Sequence, residues 1–287
     1  MDIKSKPRAG AWLVLGGLSL SILAIFILRT ALARAGSPAR LFDIFDTLTL
    51  AGAAVVLLAG GFRRLRRLDW LLGLALGGVL GALLPLASLY SPYPPIFGPV
   101  QPWLHALYRA ASLAVTAWGG LSILRLGGPV ALKAALPDLP RALKSLAFGA
   151  LVGLPLALLN AAALSLLNRQ PFNWQPPFAA APHAPQPAVG EEVFYRLTLL
   201  GLFWLALRKT WPARSAAWLA GVLALLVHNY AHFDALFVEQ PLFALAYGAV
   251  VALLWGLPPT LLALRRDLEA AAGFHWMQDA FRFLAGF

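Results

Sequence analysis

Apolar residues run through this chain in long blocks, separated by short segments where proline, glycine and charge collect. Crossing the hydrocarbon of a bilayer as a helix takes about 20 apolar residues. By that measure the blocks predict helices over 11–32, 46–62, 69–89, 103–124, 143–167, 187–207, 213–232, 241–264 and 268–287. The second is short and polar residues interrupt the last, so eight or nine helices are expected. The predicted fold is all-α, a polytopic transmembrane helical bundle. The first block could be read as a signal peptide cleaved near Ala31-Leu32-Ala33. Its apolar run, Ala11 to Leu28, exceeds the ~7–15 residues of a signal core, and a retained helix is the expectation.

Composition agrees with the pattern. Hydrophobic residues make up 60% of the 287 residues and charged residues 12%, with a mean hydropathy of +0.73. A soluble domain carries roughly twice that charge, about 25%. The net charge of +11 would suggest nucleic acid in a soluble protein. Here the basic residues sit at the ends of apolar runs, and no basic stripe with interleaved aromatics appears, so no nucleic-acid partner is expected. Without cysteine, disulfides and thiolate ligands are excluded.

Charge also orients the bundle. Basic residues occupy the N-terminal tail, the run Arg63-Arg64-Leu65-Arg66-Arg67, the segment from Arg125 to Lys144, then Arg208, Lys209, Arg214, Arg265 and Arg266. Loops 90–102, 170–190 and 233–240 have none; Arg34, Arg40 and Arg169 break the alternation. The positive-inside rule then puts the N-terminus in the cytoplasm and, with an odd number of spans, the C-terminus outside. Two outer loops, Tyr90 to Pro95 and Pro171 to Pro177, are rich in proline and aromatics. They read as interfacial anchors or as a substrate rim. No internal repeat is visible, which weakens an inverted-repeat transporter reading.

Within this apolar frame, Glu191-Glu192-Val193-Phe194-Tyr195-Arg196 stands out. A carboxylate at helix depth is expensive unless paired, protonated or hydrated. Glu192 and Arg196 are four apart and can pair along the helix. Glu191, turned by ~100° in an α-helix, is free to face a cavity. His228 and His232 share a face of the next helix near its end, and His275 and Asp279 share a face of the last. Together they suit hydrolysis by an activated water: a carboxylate base, imidazoles to hold water or oxyanion, and an aspartate to orient one of them. Two imidazoles could also bind zinc, although no His-Glu-x-x-His motif is present. Asp43 and Asp46 read as caps of the second helix; His105 and His183 read as interfacial.

Glu191-Glu192-x-x-x-Arg196, a histidine ending the next helix, and His275-x-x-x-Asp279 resemble the CPBP family of intramembrane proteases. That family includes the type II CAAX prenyl endopeptidases and the bacterial Abi proteins. Its motifs are Glu-Glu-x-x-x-Arg, Phe-x-x-x-His and His-x-x-x-Asn/Asp. The likeness covers roughly 145–287, and it divides the chain into N-terminal transmembrane helices, 1–140, and a catalytic transmembrane core, 141–287. It implies that Glu191 and a histidine activate water, while His275 and Asp279 form the oxyanion side or join a metal site. The second motif departs from the pattern. Read onto His232 its phenylalanine is His228; read onto His228 it is Ala224. Ala231-His232-Phe233 favours His232, with His228 as the alternative.

The expectation is therefore a membrane-embedded peptidase with catalytic Glu191, His232, His275 and Asp279, supported by Glu192, Arg196 and His228. One zinc ion is an open question, its ligands being Glu191, His232 and His275 if it binds. The expected partners are a peptide or membrane-protein substrate and the lipid bilayer, in a bacterial inner membrane. Two rivals remain: an inactive scaffold or bacteriocin-immunity protein, and an ion-coupled transporter using buried carboxylates.

Overall fold

The computed structural model describes residues 7–37, 40–86, 101–136, 138–180 and 183–287. Every predicted helix has a counterpart. The chain forms α1 (Ala11–Arg34), α2 (Leu41–Leu58), α3 (Arg67–Leu83), α4 (Pro102–Arg125), α5 (Leu139–Asn168) and the short α6 (Pro177–Ala180). A wide-turn π-type helix, Gln186–Leu199, runs on into α7 (Leu200–Leu207), followed by α8 (Ala213–Ala231) and the short α9 (Asp234–Glu239). Then α10 (Pro241–Val251) continues through a π-type segment, Ala252–Gly256, into α11 (Leu257–Arg265), and α12 (Leu268–Leu284) closes the bundle. The outer loop Tyr90 to Pro95, and the end of the helix expected to reach 89, lie outside the described residues.

Local chemistry sets many of the ends. Asp43 Oδ2 accepts from the Arg40 amide at 3.0 Å, which starts α2 ahead of the expected residue 46. Asp69 accepts from the Arg66 amide at the start of α3 in the same way, whereas Asp138 and Asp267 are the N-caps of α5 and α12 and accept from the amides of Arg141 and Ala270. Pro258 and Pro259 have no amide hydrogen, so carbonyls in the preceding turn lose their α-helical donors. The backbone widens there, over Ala252–Gly256.

Among the described residues four helices are long and apolar enough to cross a membrane: α1, α2, α5 and the continuous Pro241–Arg265. The helices that carry the polar cluster are sheltered among the others. Gly149 and Gly273 let the backbones of α5 and α12 touch, at Ala270 and Leu146 respectively, where a Cβ would collide with a carbonyl. On the other side Gly120 of α4 accommodates Leu197 and Thr198, and Thr198 Oγ1 donates to the Thr116 carbonyl at 2.9 Å. Leu113, Leu121, Phe194, Tyr195, Leu200 and Val227 fill the core between them.

The two ends of the bundle differ in charge. At one end the Arg8 amide meets the Thr210 carbonyl, Arg125 grips Asp69 with two bonds, and Lys133 and Ser145 converge on Asp267. Arg265 stacks on Trp218 there as well. At the opposite end Asp234 receives Arg29 Nη2 at 2.9 Å and faces the Leu41 amide at 3.4 Å. Burial raises the Asp234 carboxyl against the pull of Arg29. Most of the basic loops gather at the first end. Arg34 and Arg40, two exceptions to the charge alternation, lie at the second.

Candidate active site

The π-type helix, α8 and α12 bring the three predicted groups together. Glu191 Oε2 lies 2.6 Å from His228 Nε2, 3.8 Å from His232 Nε2 and 3.9 Å from His275 Nε2. Three imidazoles from two helices thus surround one buried carboxylate. His228 is buried with Glu191, whereas His232, at the C-terminus of α8, keeps a side chain 44% exposed. The sequence favours His232; the shortest contact with Glu191 belongs to His228. Spacing could not separate them, because residues four apart share a helix face.

Glu192 is fully buried and its Oε1 accepts from Arg196 Nη1 and from His275 Nδ1, both at 2.8 Å. The pairing with Arg196 forms as expected, and the contact with His275 is additional. His275 Nε2 faces Asp279 Oδ2 at 3.2 Å, so both ring nitrogens meet carboxylate oxygens. Both can donate only when the ring carries two protons. Arg282 Nη2 holds the other Asp279 oxygen at 2.9 Å. The helix that carries the glutamates has an i→i+5 hydrogen-bond pattern rather than an α-helical one. The ~100° offset of ideal α geometry therefore does not describe it. Wide turns of this kind are frequent at functional sites.

A cavity of about 250 Å³ opens beside these groups. Its polar wall includes Arg196, His228, His232, His275, Asp279 and Arg282. Phe233, Tyr247, Trp255 and Leu164 add apolar surface to the lining. Asn160 and Gln278 add amides, and Gln278 donates to the Gly153 carbonyl at 2.7 Å. The cavity offers water a polar floor and an apolar side chain a place to rest.

Three donor atoms from Glu191, His228 and His232 lie within 4.8 Å of one another, close enough to share a metal ion. Two imidazoles and a carboxylate are a zinc donor set. This set contains His228 in place of the expected His275, whose Nδ1 is engaged by Glu192.

Some residues do other work than the sequence suggested. Asp43 caps α2, but Asp46 does not: it accepts from Arg109 Nη1 at 2.6 Å and from the Tyr195 hydroxyl at 2.9 Å. His183 is buried against Phe283 rather than interfacial, and burial lowers its pKa. The aromatic loop 171–177 folds onto the end of α12, with Trp174 packed edge-on against Phe281 at 5.9 Å.

The fold and site together are a helical bundle with a buried carboxylate–imidazole cluster beside a cavity. Residues 173–281 match the family described as type II CAAX prenyl endopeptidase Rce1-like, and this similarity supports a CPBP/CAAX protease family assignment. The match encloses the paired glutamates, both α8 histidines, His275 and Asp279. It supports a membrane protein of the intramembrane protease kind with a peptide or protein substrate. No curated protein and no solved structure matches the chain.

Proposed function

We propose that the protein is an intramembrane endopeptidase in which Glu191 activates the water that attacks a peptide bond. The observation that carries this reading is the convergence of His228, His232 and His275 on one oxygen of Glu191 beside the cavity. A carboxylate so placed can take a proton from water while an imidazole holds that water in line. His275, held at Nδ1 by Glu192, would turn its Nε2–H from Asp279 toward the tetrahedral oxyanion as that charge develops. Asp279 orients that ring, and Arg196 balances Glu192 out of the reaction's way. Proton return to the leaving amine falls to Glu191 or its partner histidine.

Glu191, His228 and His232 would also hold a zinc ion, which when bound would supply Lewis acidity. The residues fit either case. We place the active site in the outer half of a bacterial inner membrane, with the N-terminus cytoplasmic, on the strength of loop charge. The chain then divides into helices 1–140 and a catalytic core, 141–287.

Purified protein in detergent should cleave members of a peptide library that includes prenylated and unprenylated sequences, and Glu191→Gln should not. Cleavage that survives a chelator, by protein without stoichiometric zinc, would establish the metal-free route. A library left intact by protein of native melting behaviour would refute the protease reading and favour the inactive scaffold.

A further inference from the structure

The histidine nearest Glu191 is held from outside the matched segment. Tyr195 lies one helical turn beyond Glu191, and its ring stacks on that of His228 with centroids 4.4 Å apart and planes 28° from parallel. The Tyr195 hydroxyl donates to Asp46 Oδ1 at 2.9 Å. Asp46, on α2, is in turn anchored by Arg109 of α4 at 2.6 Å. Phe42, one turn before Asp46, sets its ring edge-on to His228 at 6.1 Å and to His232 at 4.7 Å. Both Asp46 and Arg109 keep less than a sixth of their side chains exposed, at 13% and 14%. A buried ion pair seldom stabilises a fold over an apolar replacement, so the arrangement calls for a specific task.

We propose that Asp46, clamped by Arg109, is a positioning residue that fixes the Tyr195 ring and through it sets His228 against Glu191. The proposal rests on the protease reading only for its effect on turnover. The ring of His228 is planar and can pivot about its side-chain bonds. Its Nε2–Oε2 contact of 2.6 Å leaves little room for such a pivot before the hydrogen bond is lost. Stacking limits the pivot, and the Tyr195–Asp46 bond keeps the stacking ring from sliding along the helix. Two N-terminal helices are thereby coupled to the chemistry without touching substrate. A displacement of about 1 Å among reacting groups can lower a rate on the order of a hundredfold, which sets the scale of what such a clamp protects.

The test uses the full chain in detergent with ring-labelled histidine, its five histidines assigned by single His→Gln variants. Tyr195→Phe keeps the ring and removes the hydroxyl; Asp46→Asn keeps the shape and removes the charge. Both should shift or broaden the His228 ring signals while those of distant His183 stay in place. On a quenched fluorogenic peptide that the wild type cleaves, both should lower kcat about 10- to 100-fold with KM unchanged. The double variant should be no worse than the poorer single one, because both act on the one Tyr195–Asp46 contact, which Tyr195→Phe removes and Asp46→Asn weakens. Unmoved His228 signals in both variants would overturn the proposal. So would a fall in folded yield alone, with full kcat in the folded fraction. Should the wild type cleave no peptide, the protease reading fails, and the histidine spectra alone decide whether the clamp exists. Tyr195→Phe preserves core volume, so a misfolded Asp46→Asn would not remove the test.

Discussion

Replacing Glu192 by glutamine takes away a charge and leaves the shape of the side chain. In the structure Oε1 of this buried carboxylate serves Arg196 and His275 together, each at 2.8 Å. Arg196 is itself 3% exposed, so in Glu192→Gln it becomes an uncompensated cation at helix depth. Removing one partner of a buried pair costs about 3–5 kcal/mol. At roughly 2–4 °C per kcal/mol for a large domain, the melting midpoint in detergent should fall by roughly 6–20 °C. Glu191→Gln is the matched control. Its neighbours are imidazoles, which tolerate a neutral partner, so its midpoint should stay within about 2 °C of the wild type by the same conversion. Its turnover should nevertheless vanish. Differential scanning fluorimetry with a peptide-cleavage assay on the same preparations reads both quantities. An unchanged midpoint in Glu192→Gln would refute the structural role, and near-normal cleavage by Glu191→Gln would refute the base.

His228→Gln should reduce kcat more than His232→Gln, since its contact with Glu191 is shorter by 2.6 against 3.8 Å; steady-state kinetics with the reverse order would restore His232 as the working histidine. Gly273→Val should disrupt the α5–α12 contact, because its Cβ would meet the Leu146 carbonyl, and cost folded yield on size-exclusion chromatography; a monodisperse, active variant would show that the crossing can relax. Single cysteines at Ser37 and Lys144 in this cysteine-free chain should react oppositely with an impermeant thiol reagent on intact cells; labelling of Lys144→Cys would invert the topology.

Much of this protein follows from sequence periodicity and burial. The length of each apolar block is dictated by bilayer thickness, and each predicted block is a helix in the structure. A charge inside such a block is costly, so Glu191, Glu192, His275 and Asp279 announced themselves without an alignment. Pairs four apart, Glu192–Arg196 and His275–Asp279, were legible because one helix brings such residues together. What crosses between helices was not. The preference between His228 and His232 depends on how α8 is rotated against the π-type helix, where the Tyr195 ring stacks on His228. The shared use of Glu192 by Arg196 and His275 joins residues 83 apart in sequence. Asp46 read as a helix cap because caps are local, whereas its bond to Tyr195 spans 149 positions and exists only once α2 has docked. Periodicity carries the face a side chain takes on its own helix; the partner on that face is chosen by side-chain packing between helices.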